Sequence, residues 1–290
     1  MSKLTVNTDR TGEPVDLFYE DVGRGATVVL IHGWPVNQQM WEHQILALAS
    51  QGFRVISYDR RGFGQSSKPW DGYDYDTLAD DLKGLLDELD VDNVTLVGFS
   101  MGGGEVARYM SRHGGERVSK VAFISSVTPY LLKTDDNPEG VDKSVFDEMV
   151  DGIRKDRPAF LEAFGKGFYG VTALHHPVSA ALLDWSQSLA LPASIKATLE
   201  CVRSFSETDF RADLQTISVP VLIIHGKDDK TVPLEHSGER TAKLLPNATY
   251  KAYDGAPHGL FITHKDELSA DLLEFLGRPA TGGPAGRSVA

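Results

Sequence analysis

Short continuous apolar runs alternate with amphipathic stretches along most of the chain. The apolar runs predict strands that are buried on both faces of a sheet. The stretch 76–90 repeats leucine at helical spacing and predicts a helix with one buried face. Strands that alternate with helices indicate right-handed crossovers and a mostly parallel, twisted sheet with helices on both faces. The predicted strands in this half are 27–31, 53–58, 94–99 and 118–124, and the other predicted helices are 38–50 and 105–113.

Both ends of the pattern extend the same sheet. Residues 4–22 predict an antiparallel pair of strands, because Val15, Leu17 and Tyr19 recur at every second position. After residue 215 the alternation of strand and helix returns. The predicted elements there are the strands 219–226 and 248–253 and the helices 235–245 and 266–277.

Residues 129–215 interrupt the alternation, since they contain no convincing strand. Their helical patterns cover roughly 142–156, 158–168, 178–190 and 193–205. We therefore predict a helical cap at 129–215, inserted into an α/β core that consists of 1–128 and 216–277. The last residues, 278–290, are largely Gly, Pro, Ala and Ser, and this composition predicts a disordered tail.

The run 94–99 leads into the segment 98–102, which reads G-x-S-x-G around Ser100. Between a strand and a helix this motif forms a sharp turn that exposes the serine hydroxyl, and glycines flank it because side chains there collide with neighbouring backbone. The start of the next helix adds free N–H groups and partial positive charge beside the serine. The alternative is a glycine-rich turn with an incidental serine. We favour Ser100 as a nucleophile.

An activated serine needs a base within hydrogen-bond reach and an acid that orients the base. For a serine in such a turn, the expected chain order is serine, acid, histidine. Asp228 and Asp229 both follow the strand 219–226, and spacing alone leaves the choice between them open. His258 directly follows the last strand in a loop with glycine and proline, so we favour it as the base. His264, its main rival, falls toward the final helix.

Acyl transfer also requires hydrogen-bond donors for the developing oxyanion. The backbone N–H of Met101, at the start of the helix after the serine, is one candidate. The N–H of Trp34, in the loop after the strand 27–31, is the other. Pro35 has no N–H and restricts Trp34 to extended geometry, so it helps to fix how the Trp34 peptide faces the site. The alternative for this loop is an ordinary Trp–Pro turn.

Aromatic side chains recur on one helical face of the predicted cap, at Phe160, Phe164 and Phe168, and Phe205 lies in a later cap helix. Packing within the cap is the simpler explanation, and we adopt it for Phe160. An apolar pocket for the acyl or aryl group of a substrate is the functional explanation for the others. The candidate substrate-binding residues are Trp34, Phe164, Phe168 and Phe205.

Composition narrows the class of partner. The 290-residue chain has a formal net charge of −12, with 41 acidic against 29 basic residues, which disfavours nucleic acids and anionic membranes. The single cysteine, Cys201, excludes an internal disulfide. No signal-peptide pattern and no membrane-length apolar run occur, so we expect a cytoplasmic protein. The pair His175–His176 lacks a matching third ligand and no phosphate-binding glycine motif occurs, so neither metal nor cofactor is predicted.

Five motifs are specific enough to indicate a family. They are GFSMGGG at 98–104, YDRRGFG at 58–64, YDYD at 73–76, FSETDFR at 205–211 and APHG at 256–259. Together they resemble the cofactor-free bacterial haloperoxidases (perhydrolases) and aryl esterases of the α/β-hydrolase superfamily. The resemblance runs from about residue 10 to 277. It implies an α/β-hydrolase fold with a helical cap.

The same resemblance implies roles for particular residues. Ser100 would be the nucleophile, Asp229 rather than Asp228 the acid, and His258 the base, with the N–H groups of Trp34 and Met101 as oxyanion donors. Such enzymes hydrolyse small esters. Many also perhydrolyse carboxylic acids, because peroxide replaces water on the acyl-enzyme and the released peracid oxidises halide. Pro35 is the form of this loop associated with perhydrolysis. Homo-oligomers are also expected, since relatives often associate.

We therefore predict a serine carboxylesterase with perhydrolase, non-haem chloroperoxidase-like activity. Its partners would be a small ester or carboxylic acid and hydrogen peroxide. A γ-lactamase or lactonase on the same three residues is the first alternative, since the segment 136–140 also resembles γ-lactamases. A ligand receptor without turnover on the same scaffold is the second. Dehalogenases and epoxide hydrolases share the fold but have an aspartate where this chain has Ser100.

Overall fold

An eight-stranded sheet runs through the protein, whose computed structural model describes residues 2–277. The strands are β1 (Ser2–Thr8), β2 (Pro14–Gly23), β3 (Thr27–Ile31), β4 (Arg54–Tyr58), β5 (Val94–Phe99), β6 (Val118–Ile124), β7 (Val221–Gly226) and β8 (Thr249–Tyr253). Their order across the sheet is β1-β2-β4-β3-β5-β6-β7-β8. β2 pairs antiparallel with β1 and β4, and the other neighbouring strands are parallel. The predicted mostly parallel sheet is therefore confirmed.

Helices follow most of the strands, as the amphipathic stretches predict. Within residues 2–277 the α-helices are α1 (Glu42–Ser50), α2 (Tyr75–Glu88), α3 (Met101–Arg112), α4 (Lys143–Phe168), α5 (Ala180–Ala190), α6 (Ile195–Glu207), α7 (Arg211–Gln215), α8 (Gly238–Leu244), α9 (Leu260–Thr263) and α10 (Lys265–Leu276). Short 3₁₀ turns, Gln38–Trp41 and Leu234–His236, precede α1 and α8. Two predicted helices therefore begin as tighter turns.

Helix α3 begins four residues earlier than the predicted start at Glu105. Its first turn contains three glycines, which are weak helix formers and hid the start of the helix in the sequence. Close packing explains why they are there. A Cβ atom on Gly102 would lie 2.6 Å from the carbonyl oxygen of Ile31, and one on Gly104 would lie 2.6 Å from the ring of Phe210. The glycines thus let α3 approach β3 and α7.

Helix α4 contains the break that the sequence predicts between 142–156 and 158–168. Asp156 leaves the helical conformation at φ −160° and ψ 90°. Its side chain accepts a hydrogen bond from the backbone N–H of Ala159 at 3.1 Å, which caps the second segment. Pro158 lies in the first turn of that segment, where a missing N–H costs little.

Both faces of the sheet are covered, because successive strand residues enter different apolar clusters. On β3, Val29 and Ile31 belong to one cluster, whereas Val28 and Leu30 belong to the other. This explains why the parallel strands appear as continuous apolar runs rather than as an alternation. No helix within residues 2–277 is long and apolar enough to cross a membrane.

Helices α4 to α7 lie between β6 and β7 in the chain. Side chains of α4 and α6 pack on Trp34, which follows β3. We propose that 129–215 acts as a cap on the core formed by 1–128 and 216–277. The predicted disordered tail, 278–290, lies outside the described residues.

Candidate active site

Ser100 occupies a sharp turn between β5 and α3. Its backbone adopts φ 53° and ψ −118°, a conformation that is rare for residues other than glycine. A Cβ atom on Gly98 would lie 2.4 Å from the carbonyl oxygen of Gly102, so the turn cannot accept a larger residue there. The Ser100 N–H donates to the Ile124 carbonyl at 2.9 Å, and its carbonyl accepts from Gly103 at 3.0 Å. These contacts fix the hydroxyl at the carboxyl end of β5.

Three residues from distant parts of the chain form one hydrogen-bond chain. His258 Nε2 lies 2.9 Å from Ser100 Oγ. His258 Nδ1 lies 2.6 Å from Asp229 Oδ2. The three side chains are buried, with residue exposures of 5% for Ser100, 2% for Asp229 and 1% for His258. The structure thus brings together the serine, acid and histidine that the sequence proposed, at the ends of β5, β7 and β8.

The Asp229 carboxylate is held at both oxygens. Its Oδ1 accepts the backbone N–H groups of Thr231 at 2.9 Å and Val232 at 2.8 Å, which leaves Oδ2 for His258. Burial alone would raise the pKa of Asp229. The attraction of His258 and the hydrogen bonds from His225 and His258 outweigh burial and lower this pKa well below its usual range. Asp229 is therefore ionised at neutral pH and can orient a histidine.

The rival residues lie elsewhere. Asp228 is exposed, although it is adjacent to Asp229. His264 is partly exposed, and its Nδ1 lies 2.9 Å from the Thr263 hydroxyl. Neither residue has a hydrogen bond to Ser100 or His258 within residues 2–277. The geometry therefore favours Asp229 over Asp228 as the acid and His258 over His264 as the base.

The loop after β3 lies directly on the serine turn. A Cβ atom on Gly33 would be 2.6 Å from the Phe99 ring and 3.1 Å from Ser100 Cβ, so this close approach requires glycine. His32 Nε2 accepts the Arg60 backbone N–H at 3.0 Å, so its Nδ1 carries the proton and donates to the Gly33 carbonyl at 2.8 Å. The Gly33 carbonyl and the Trp34 N–H share one peptide plane, and this hydrogen bond fixes both.

The two proposed oxyanion donors have no competing acceptor. Among residues 2–277, neither the Trp34 N–H nor the Met101 N–H donates a hydrogen bond. Met101 is the first residue of α3, so its N–H has no partner in the helix. Both N–H groups are therefore free to bind an oxygen of a substrate at Ser100.

The Trp34 side chain connects this loop to the cap. Its indole Nε1–H donates to the Thr198 carbonyl of α6 at 3.1 Å. Its ring packs edge-on against Phe164, at 5.1 Å between centroids, and in a tilted arrangement against Phe205, at 5.7 Å. Phe160 lies further away, at 6.4 Å, and stacks on Phe164. The cap aromatics thus hold Trp34, the residue whose N–H is one of the two proposed oxyanion donors.

A cavity of about 600 Å³ opens onto Ser100. Three of the four predicted pocket residues, Trp34, Phe164 and Phe205, contribute to its wall. Most of the remaining wall is apolar and was not identified from the sequence. The additional apolar residues are Val127, Leu131, Val141, Val145, Phe146, Met149, Ala163, Val232 and Pro233. The i, i+3 spacing of Phe146 and Met149 was an available signal, but it does not reveal which face of α4 lines a cavity.

Phe168, the fourth predicted pocket residue, lies behind the histidine. Its ring packs edge-on against His258 at 4.8 Å between centroids, while Phe99 packs on the same imidazole at 4.9 Å. It lines a smaller neighbouring cavity of about 200 Å³ and is not part of the wall around Ser100. Phe168 thus supports the imidazole ring of His258 and does not line the cavity at Ser100. Its position on a helical face could not distinguish these two environments.

A buried ion pair lies beneath the loop after β3. Arg60 Nε lies 2.7 Å from Glu105 Oε2, and both side chains are 1% exposed. Arg60 Nη2 also donates to the His32 carbonyl at 2.8 Å, and the Tyr58 hydroxyl contacts Glu105. The sequence identified 59–66 only as a loop. The polar network that fixes His32 was therefore missed, because arginine in a loop normally indicates solvent exposure.

Among residues 2–277, no group of three His, Cys, Asp or Glu residues has the geometry to hold a metal ion. His175 and His176 lie exposed in the loop between α4 and α5.

Comparison with known proteins supports the fold. The sequence profile of the α/β-hydrolase fold family matches residues 26–265, and the chain belongs to this family. The match includes the serine turn, the acid and the histidine.

Close relatives point to one branch of the family. A non-heme chloroperoxidase of Kitasatospora aureofaciens is 42% identical over 277 residues, covering 95% of this chain and 100% of the relative. A bifunctional esterase/perhydrolase of Acinetobacter calcoaceticus is 41% identical over 270 residues, covering 92% and 98%. The crystal structure of a bromoperoxidase from Bacillus anthracis superimposes with a TM-score of 0.90 at 48% identity, covering 95% and 99%. The resemblance to haloperoxidases and esterases is confirmed.

Proposed function

We propose that this protein is a serine hydrolase of small aryl and alkyl carboxylic esters that also perhydrolyses carboxylic acids. The observation that carries the proposal is the continuous hydrogen-bond chain from Ser100 through His258 to Asp229, at the base of an apolar cavity. The named activities of its relatives support both halves of it. Localisation in the cytoplasm and association into homo-oligomers stay predictions.

In the first half-reaction, Ser100 Oγ attacks the ester carbonyl while its proton passes to His258 Nε2. Asp229 accepts the hydrogen bond from His258 Nδ1–H and stabilises the cation that forms. The N–H groups of Trp34 and Met101 donate to the oxyanion. Collapse of this intermediate breaks the bond to the leaving group, an alcohol from an ester or water from a carboxylic acid, which takes the proton from His258. The product is an acyl group on Ser100.

In the second half-reaction, water or hydrogen peroxide attacks the acyl group, and His258 takes and returns the proton. Water releases a carboxylic acid. Peroxide releases a peracid, and the Oγ of Ser100 regains its proton in both cases. The peracid then oxidises a halide ion to hypohalous acid and is itself reduced to the carboxylic acid. This scheme needs no redox cofactor, because the oxidant is the peracid.

The peroxide half of the proposal predicts halogenation by the purified protein. Wild-type protein given acetate, hydrogen peroxide and bromide is expected to brominate monochlorodimedone. The reaction is measured as the loss of monochlorodimedone absorbance. Ser100→Ala should reduce the rate to the background without enzyme, because acetate can no longer be activated as an acyl group. Wild-type esterase activity without bromination would contradict the perhydrolase half of the proposal and leave the esterase half standing. Equal bromination by both proteins would contradict a role for Ser100.

The size of the cavity predicts how the enzyme responds to acyl length. Met149→Trp is expected to narrow the cavity that Met149 and Ser100 both line. It should lower kcat/KM for p-nitrophenyl octanoate by about tenfold, since excluding two methylenes from apolar surface costs about 1.6 kcal/mol. Activity on the acetate ester should change less than about twofold on the same reasoning. Glu148→Trp, at an exposed neighbouring position, is the matched control. Equal losses on both esters would show that Met149 does not border the acyl site.

A substrate panel of esters, lactones and γ-lactams separates the alternative functions. Lactones and γ-lactams would be opened by the same attack of Ser100, so preferred turnover of a γ-lactam would indicate a lactamase. A receptor would bind or acylate once and release no further product. Sustained turnover of esters, faster than turnover of lactones and γ-lactams, supports the esterase.

A further inference from the structure

Asp229 contacts a second imidazole, that of His225 in β7. His225 Nε2 lies 3.3 Å from Asp229 Oδ2, the same oxygen that lies 2.6 Å from His258 Nδ1. Both His225 and Asp229 are completely or almost completely buried, at 0% and 2% exposure. The acid of the site is thus flanked by two histidines, of which only His258 contacts Ser100.

The surroundings of His225 fix which nitrogen carries its proton. Nε2 lies 2.8 Å from the Val232 carbonyl, which can only accept a hydrogen bond. Nδ1 is buried and has no hydrogen-bond partner within residues 2–277. Gly238 packs against this side of the ring, since a Cβ atom there would lie 2.8 Å from Nδ1. A proton on Nδ1 would therefore be a buried, unsatisfied donor, and the neutral ring with Nε2–H is the form that fits.

The Nε2–H group of His225 contacts two residues of the loop that follows β7, Asp229 and Val232. It is shared between the Val232 carbonyl and Asp229 Oδ2. The Val232 N–H in turn donates to Asp229 Oδ1 at 2.8 Å. Ser237 Oγ lies 3.4 Å from Nε2 and donates to the Pro233 carbonyl at 2.7 Å. His225 therefore restrains Val232, the residue whose N–H binds one carboxylate oxygen, and also contacts the other oxygen.

We propose that His225 is a positioning residue that holds Asp229 Oδ2 toward His258. The inference rests on the proposed function, since it concerns the acid of the same site. Without the Nε2–H donor, Oδ2 keeps His258 as its one side-chain donor within the described residues. The Val232 carbonyl also loses its hydrogen bond to His225. The carboxylate can then rotate away from the line that joins it to the His258 ring, which leaves the imidazole less well oriented toward Ser100.

A purely structural role for His225 would make a different prediction from a positioning role. Glutamine can place an amide N–H close to the position of Nε2, whereas methionine fills similar length without a donor. If His225 only fills space at the end of β7, His225→Gln and His225→Met should be equally active. If the N–H positions Asp229, only the glutamine variant should retain activity.

The first measurement is steady-state hydrolysis of p-nitrophenyl acetate. We expect His225→Met to lower kcat by about 10- to 100-fold, by analogy with the loss of hydrogen bonds that orient metal ligands. KM should stay within about twofold, because His225 does not border the cavity, and His225→Gln should recover most of kcat. His225→Asn, whose shorter amide does not reach Oδ2, replaces the methionine variant if that variant does not fold. Equal kcat in the glutamine and donor-less variants would overturn the proposal.

The second measurement does not depend on turnover. The His258 Nδ1 proton in its short hydrogen bond to Asp229 should give a far-downfield proton NMR resonance, which we would record in a Ser100→Ala background. We expect this resonance to persist with His225→Gln and to move upfield or broaden with His225→Met. An unchanged resonance in the methionine variant would overturn the positioning role. Failure of the proposed function would instead appear as ester turnover that survives Ser100→Ala.

Discussion

Ser100→Ala is expected to lower kcat for p-nitrophenyl acetate by about 10⁵- to 10⁶-fold, the loss measured when a serine nucleophile of this kind is removed. The reason is that, among residues 2–277, Ser100 alone places a hydroxyl within hydrogen-bond distance of His258 Nε2, at 2.9 Å. The oxyanion donors and the cavity remain, so a small residual rate over water is expected. The measurement is steady-state kinetics at a protein concentration high enough to detect this residual rate.

Ser125→Ala is the matched control for this prediction. Ser125 is completely buried at the end of the neighbouring strand β6, and its hydroxyl has no hydrogen-bond partner within residues 2–277. Removing its oxygen should leave kcat within about twofold of the wild type, as for a substitution that breaks no contact. A Ser100→Ala protein with more than about one thousandth of wild-type kcat would contradict the assignment of the nucleophile, since triad deletions cost far more.

Asp229→Asn is expected to lower kcat by about 10⁴-fold at neutral pH. An amide at this position can present an N–H to His258 Nδ1, which then accepts and no longer carries a proton. The proton moves to Nε2, which faces Ser100 and must be free to accept its proton. The fold should survive, because Oδ1 can still accept from Thr231 and Val232. Steady-state kinetics and a thermal unfolding curve test both statements.

Asp228→Asn provides the matched control at the adjacent residue. Its side chain is exposed, so the same chemical change should leave kcat within about twofold of the wild type. Equal losses in the two variants would mean that the acid has been misassigned. A large loss for Asp228→Asn alone would reverse the assignment.

The parts of the site that sequence reasoning could predict depend on local pattern and chain order. Ser100 is marked by a strand, a glycine turn and a helix, all within a few residues. Asp229 and His258 follow later strands of the same parallel sheet. Because the carboxyl ends of parallel strands meet at one edge, order along the chain is enough to bring these side chains together.

Other parts depend on packing between distant segments and could not be predicted in this way. Phe164 and Phe168 share a helical face, yet one lines the cavity at Ser100 and the other lies against His258. Arg60 is in a polar loop but is buried against Glu105, because two distant elements enclose the pair. A periodic pattern indicates that a side chain is buried, but it does not identify the neighbours.

His225 shows the same limit for a polar residue. Its place near the end of the predicted strand 219–226 indicates a packed, buried histidine. That interpretation agrees with its burial, but it does not identify Asp229 as a partner. The contact depends on how the chain turns after β7 and returns at Val232, which is a property of the folded loop.

Labelling with diethyl p-nitrophenyl phosphate tests the central claim, that Ser100 is the nucleophile, most directly. Ser100 Oγ should form a bond to phosphorus while p-nitrophenolate leaves, and the stable product should abolish ester turnover. Mass spectrometry after trypsin digestion should then find one diethylphosphoryl group on the peptide 84–108, which contains Ser100 as its only serine. The Ser100→Ala protein should remain unlabelled. Complete inactivation with an unmodified 84–108 peptide would contradict the account.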